Sequence, residues 1–253
     1  MKTAAFIGLV RWYGLVVVSI LMGICSPMVA GAIEISGLEG QAKMDHSEGR
    51  TKTIVLIGAS YAGGWPSERP IGGYRMVNKG VSGQQSFEML ARFESDVLVL
   101  KPDAVIIWGF INDIFRSDRA QIDQTLRRTR ESIVAMIKLT RKAGITPILA
   151  TEVTIRGKNE WSETLQAFIG RILGKASYQD YVNEHVIETN RGIRELATRE
   201  GLLLLDFESV LADQQGVRQQ AFSQPDGSHI SRQGYDALIR YAEAQLKAPL
   251  GTR

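Results

Sequence analysis

Four unbroken apolar runs punctuate the chain, at Thr53–Ile57, Ala104–Trp108, Pro147–Ala150 and Leu202–Asp206, with a weaker one at Tyr74–Asn78. Runs of this length suit strands buried on both faces, as in a parallel sheet. Between them the apolar positions change period. From Asp118 to Ala143 they fall at Ile122, Leu126, Ile133, Met136, Ile137 and Ala143, mostly three or four apart, which predicts an amphipathic helix. Gly144 ends that helix and Pro147 opens the next strand region. Similar patterns occupy Ser86–Val99 and Tyr181–Arg199. A last helix follows Ser231, a candidate N-cap, with Leu238, Ile239, Ala242 and Leu246 on one face. Alternating strands and helices imply right-handed crossovers and a doubly wound, mostly parallel sheet of about five strands. No internal repeat, low-complexity tract or linker divides the chain after residue 53, so 53–253 reads as one α/β domain.

The N-terminal segment has a different character. Lys2 and Arg11 precede a charge-free stretch from Trp12 to Ile33, with an apolar centre at Leu15–Ile24, then Pro27 and small residues at Ala30-Gly-Ala32. This is the order of a secretory signal over residues 1–32, cleaved after Ala32, which predicts a periplasmic or secreted protein. The rival reading is an uncleaved membrane anchor, because the apolar stretch is long enough to span a bilayer. Cys25 follows Ile24, which is larger than the residue a lipoprotein site needs. It is the only cysteine of the chain, so the mature protein would have neither disulfides nor a cysteine metal site. Residues 33–52 form a polar lead-in.

Composition narrows the classes. The 253 residues are 44% hydrophobic and 23% charged, with a formal net charge of +3, which excludes disorder as the main character. Two of the cations are Lys2 and Arg11, so the remainder is close to neutral. Nucleic-acid binding by bulk electrostatics is not expected.

The residues with chemistry all follow strands, where open α/β sheets bind ligands. After the first strand comes Gly58-Ala59-Ser60-Tyr61, and after the second Asn78-Lys79-Gly80-Val81-Ser82-Gly83. Gly109-Phe110-Ile111-Asn112-Asp113 follows the third, and Asp226-Gly227-Ser228-His229 precedes the last helix. A hydroxyl to attack, an imidazole to take its proton and a carboxylate to orient the imidazole can together perform acyl transfer. The Gly80 N–H and the Asn112 amide can donate to an oxyanion, and a Cβ at position 80 would obstruct approach to the substrate oxygen.

With these four blocks in this order, the sequence resembles the SGNH (GDSL) hydrolase family from Thr53 to the last helix. The resemblance implies a flavodoxin-like three-layer sandwich. It implies Ser60 as nucleophile, with Asp226 and His229 completing the triad. It also implies an oxyanion hole made by Ser60, Gly80 and Asn112. Two blocks depart from the family pattern: Ala59 stands where an Asp is usual, and an extra residue separates Gly109 from Asn112-Asp113.

The implied function is an exported serine esterase, working by a ping-pong acyl-enzyme on a small-molecule, glycan or lipid ester. No cofactor or metal is expected, because the oxyanion hole supplies the electrostatic stabilisation. An exported O-acyltransferase would use the same triad, and a non-catalytic binding protein would use the same fold. A dinucleotide site fits poorly, since Ser60 replaces the second glycine of that fingerprint and no acid ends the second strand. An α/β-hydrolase fits poorly too, since its nucleophile elbow follows several strands. His185 reads as a surface or packing residue, His46 has no partners at metal-ligand spacing, and Arg127-Arg128-Arg130 reads as a solvated helix face. Trp108 is expected in the core, and Trp65 and Phe110 beside the pocket.

Overall fold

The computed structural model describes residues 51–66, 70–156 and 177–247. The expected signal or anchor, nearly all of the lead-in and His46 lie outside the described residues. The first apolar run becomes β1 (Thr53–Gly58), followed by a single turn, α1 (Ser60–Gly63). Then come β2 (Arg75–Gly80), the short helices α2 (Ser86–Ala91) and α3 (Phe93–Asp96), and β3 (Ala104–Trp108). The chain continues through α4 (Ile111–Phe115), α5 (Ile122–Lys142) and β4 (Thr146–Ala150). It closes with α6 (Tyr178–Glu200), β5 (Leu203–Leu205), α7 (Phe207–Leu211) and α8 (Arg232–Leu246).

The strands form one sheet in the order β2-β1-β3-β4-β5, and all four pairings are parallel. This is the flavodoxin-like order, in which the connection reverses direction between β1 and β3 and leaves a crevice at their carboxyl ends. The central strands are buried along their whole length, β1 and β3 without exception. Each such Ile, Val or Leu contributes about 1.5–3 kcal/mol by leaving water, so the sheet is a rigid base for whatever follows each strand.

The helices match the expected periods, with differences at their ends. Ser231 caps α8 as expected, its Oγ accepting from the Gly234 N–H at 3.2 Å. Asp118 caps a 3₁₀ turn at Arg119–Gln121 that leads into α5. The pattern at Ser86–Val99 is not one helix. It breaks at Arg92, although Met89, Phe93 and Val97 keep their spacing of four and stay buried. Arg92 is drawn to the sheet instead: its Nη2 donates to the carbonyls of Gly58 at 3.1 Å and Lys79 at 2.8 Å. Among the described residues no helix is long and apolar enough to cross a membrane.

Candidate active site

Ser60 is delivered by a tight strand-to-helix step. A Cβ at Gly58 would lie 2.1 Å from the Trp108 carbonyl oxygen and 2.5 Å from the Ala62 Cβ, so only glycine lets β1 and β3 close beside α1. Ala59 is buried, and Ser60 opens α1 half-exposed. The Ser60 N–H has no partner among the described residues. Where the family's acid is missing, Arg92 ties the end of β1 to the end of β2.

Gly80 is a glycine for a different reason from the one expected. A Cβ there would meet the Gly63 nitrogen at 2.1 Å and the Ala62 carbonyl carbon at 2.5 Å, so it is the backbone of α1 that needs the space. The Gly80 N–H donates to Asn78 Oδ1 at 2.8 Å, and Asn78 Nδ2 donates to the carbonyls of Ala62 at 2.7 Å and Trp65 at 3.0 Å. Asn78 and Gly80 thus seat α1 on β2. Gly83, three residues on, has φ +79°, and its N–H has no partner among the described residues.

The third block absorbs its extra residue. Gly109 has φ +147°, a conformation that L side chains rarely adopt, and a Cβ there would press on the Ala59 nitrogen at 3.0 Å. Phe110 is buried and precedes α4, and its N–H donates to Glu152 Oε2 at 2.8 Å, as does that of Ile111 at 3.2 Å. The start of α4 is therefore fixed by a buried carboxylate, and Asn112 is half-buried. Its Nδ2 donates to the Gln84 carbonyl at 3.0 Å, beside the turn that holds Gly83. Asp113 points inward and accepts from the Ser86 N–H and Oγ, both at 2.7 Å, and from Thr129 Oγ1 at 3.0 Å. Burial raises the carboxyl pKa of both Asp113 and Glu152.

Asp226 and His229 form a self-contained turn around Gly227, at φ +74°. Asp226 Oδ1 accepts from the N–H groups of Ser228 at 3.0 Å and His229 at 2.9 Å, while Oδ2 pairs with His229 Nδ1. Burial would raise the Asp226 pKa, but the hydrogen bonds from the His229 backbone and ring, and the charge of that ring, hold it at about 2. A carboxylate on Nδ1 leaves Nε2 free to take a proton.

Ser60 and His229 line the same cleft, of about 540 Å³, with Gly64, Tyr235, Ile230 and Ile239 on its walls and Gln224, Arg232 and Asp236 supplying polar groups. A second groove of about 310 Å³ lies between α5 and α6, and its lining includes neither serine nor histidine. Arg127 and Arg130 line that groove, whereas Arg128 lies 4.4 Å over the Phe87 ring. His185 packs edge-on against Tyr181 at 4.6 Å, as a packing residue would. Trp65 and Trp108 are both buried, edge to face at 5.9 Å, so Trp65 is core rather than pocket wall. Phe110 is likewise fully buried. No group of three or more His, Cys, Asp or Glu that could hold a metal occurs among the described residues. Sequence reading missed Glu152, though a carboxylate between Thr151 and Val153 just beyond a buried strand is itself a signal that it has partners.

Residues 57–237 match the GDSL-like lipase/acylhydrolase family. Among curated proteins, 84 residues are 34% identical to an uncharacterized lipoprotein of Bacillus subtilis, covering 33% of this chain and 35% of that protein. A 44-residue stretch is 50% identical to an acetylxylan esterase of Geobacillus stearothermophilus, covering 17% of this chain and 20% of the esterase. These matches thus span about a third or less of the relatives' length. Among solved structures, a GDSL-like lipase from Bacteroides thetaiotaomicron superposes with a TM-score of 0.59 at 21% identity, over 78% of this chain and 88% of the lipase. A catalytic mutant of an acetylxylan esterase from Geobacillus stearothermophilus superposes with a TM-score of 0.58 at 22% identity, over 77% and 94%. At that identity the structural likeness speaks to the fold.

Proposed function

Because the chain belongs to the GDSL-like lipase/acylhydrolase family, we propose that it is a serine esterase working through Ser60, His229 and Asp226. The observation that carries this reading is the shared cleft: a serine that directly follows β1 and opens a helix, and a histidine already paired to a carboxylate, line one cavity. Ser60 Oγ attacks the ester carbonyl as His229 Nε2 takes its proton. The tetrahedral intermediate collapses, and the alcohol leaves with that proton. Water then attacks the acyl-enzyme, with His229 again as base, and the acid departs from Ser60. Asp226 keeps the imidazole in the required tautomer and stabilises its charged form.

The oxyanion donors follow from which N–H groups are uncommitted. The Ser60 N–H is one, and Asn112 Nδ2 keeps a second hydrogen after giving one to the Gln84 carbonyl. Gly80 was the expected third, but its N–H is engaged by Asn78, so the third donor in this reading is the Gly83 N–H, on the turn that Asn112 touches. Polar groups from Gln224, Arg232 and Asp236 in the cleft favour a hydroxyl-rich alcohol over a long acyl chain, and the similarity to an acetylxylan esterase supports a short-chain ester of a carbohydrate. The lipoprotein relative and the basic, apolar N-terminus support export.

The test is hydrolysis of p-nitrophenyl esters of increasing chain length and of acetylated xylo-oligosaccharides. Activity should be highest with acetyl esters, and Ser60→Ala should abolish it while leaving the melting temperature near wild type. More than a few per cent of residual activity in rigorously purified Ser60→Ala protein would refute the assignment.

A further inference from the structure

Tyr61 stands one residue after the proposed nucleophile, and its side chain turns inward, where it is buried. The hydroxyl donates to the carbonyl of Ser228 at 2.6 Å. Ser228 is the residue before His229, so one hydrogen bond joins the neighbour of the nucleophile to the neighbour of the base. The Tyr61 ring meets the His229 imidazole edge to face at 6.4 Å and packs on Trp108 at 6.0 Å. Its own carbonyl is held by the Tyr235 hydroxyl at 2.8 Å.

A second support reaches the same turn from below. Arg218 is fully buried, and its Nη2 donates to the Gly227 carbonyl at 2.8 Å, while Nε donates to Ser223 Oγ at 3.1 Å. Its guanidinium lies 5.8 Å from the Tyr61 ring centre. Nη1 has no hydrogen-bond partner among the described residues. A buried guanidinium left partly unpaired is costly, and the carbonyl it holds also accepts from the Arg156 N–H at 3.0 Å.

The turn by itself does not set its distance from Ser60. The bonds from Asp226 Oδ1 and Oδ2 fix the imidazole relative to its own carboxylate, but nothing inside residues 226–229 fixes it relative to Ser60, which sits on another segment. Two consecutive carbonyls, Gly227 and Ser228, are gripped instead by side chains from elsewhere, and one of those side chains is covalently next to Ser60. We propose that Tyr61 is a positioning residue: its hydroxyl holds His229 at the separation from Ser60 needed for proton transfer, with Arg218 bracing the same turn through Gly227. This rests on the esterase reading of Ser60 and His229.

Tyr61→Phe removes one hydroxyl and keeps the ring packing. Misplacement of a catalytic group by an ångström costs up to ~10²-fold, so kcat with p-nitrophenyl acetate should fall roughly 10- to 100-fold. KM should change by less than about twofold, because ground-state binding does not use this bond. In ¹⁵N-edited NMR the His229 Nδ1–H signal should broaden or shift. Arg218→Lys, which keeps a cation but loses the fork, should show the same loss confined to kcat. Thr140→Val serves as the control: it also deletes a buried hydroxyl, one that donates to the Met136 carbonyl at 2.7 Å in α5, and it should retain wild-type kcat and His229 signals. The inference is overturned if Tyr61→Phe keeps wild-type kcat, if its His229 signal is unchanged, or if Thr140→Val loses as much. Failure of the esterase reading looks different. Activity would then persist in Ser60→Ala, and the NMR comparison would still decide whether Tyr61 holds the turn.

Discussion

Asn112 and Asp113 are adjacent residues with opposite duties, and single substitutions should separate them. Asn112 is half-buried, and its amide hydrogen bond to Gln84 fixes its orientation beside the turn that holds Gly83. Asn112→Ala should lower kcat by ~10²–10³, the usual loss for one oxyanion donor, with little change in KM. Asp113 accepts three hydrogen bonds inside the protein and touches no part of the cleft. Asp113→Asn retains one acceptor oxygen but offers a misplaced donor. Its cost should appear as stability, about 1–3 kcal/mol in denaturant titration, with a smaller fall in kcat. The pair was legible in the sequence because Asn-Asp after a strand is a conspicuous block. Gly83 was not singled out, because a glycine's free N–H is a tertiary property that no spacing reveals.

The short helices are where element-level physics decides function. α4 has five residues, too few to be stable alone, so its position is imposed from outside, by Glu152 at its start and by Ser86 and Thr129 donating to its own Asp113. Glu152→Ala would leave the Phe110 and Ile111 N–H groups buried without an acceptor, a loss of about 1–3 kcal/mol. It should also lower kcat, because Asn112 rides on the helix so released. Thermal unfolding and kcat measured on the same preparation check both. Long elements were legible from period alone, as α5 and α6 show: their apolar faces bury Ile133, Met136, Ile137, Val182, Val186 and Ile193. The break at Arg92 was not, because the apolar spacing continues straight across it. What stops the helix is a side chain drawn to two carbonyls at the sheet edge.

At the scale of the molecule the carboxylates act in opposite senses as pH falls. Asp226, held at about 2, lies below the ordinary value of ~3.9. It therefore adds stability above that value and loses it as pH drops through about 2. Asp113 and Glu152 are raised by burial, so ionising them opposes folding, and acidification relieves that opposition. For catalysis the consequence is simple. Asp226 stays ionised throughout the working range, so it should add no inflection of its own to the acid limb of log kcat/KM, whose slope should not exceed one down to about pH 4. A slope of two would show a second titrating group in the triad. Pattern along the chain was enough to determine the parallel α/β sheet, the strand-end blocks and the Asp-x-x-His turn, because periodicity and turn chemistry are local. Only the tertiary structure decided which N–H groups remain free, that Trp65 is core, and that Tyr61, Glu152 and Arg218 hold the blocks in register. Those facts depend on contacts between residues far apart in sequence, and hydrogen bonding in a buried site is settled by which groups the fold brings within reach.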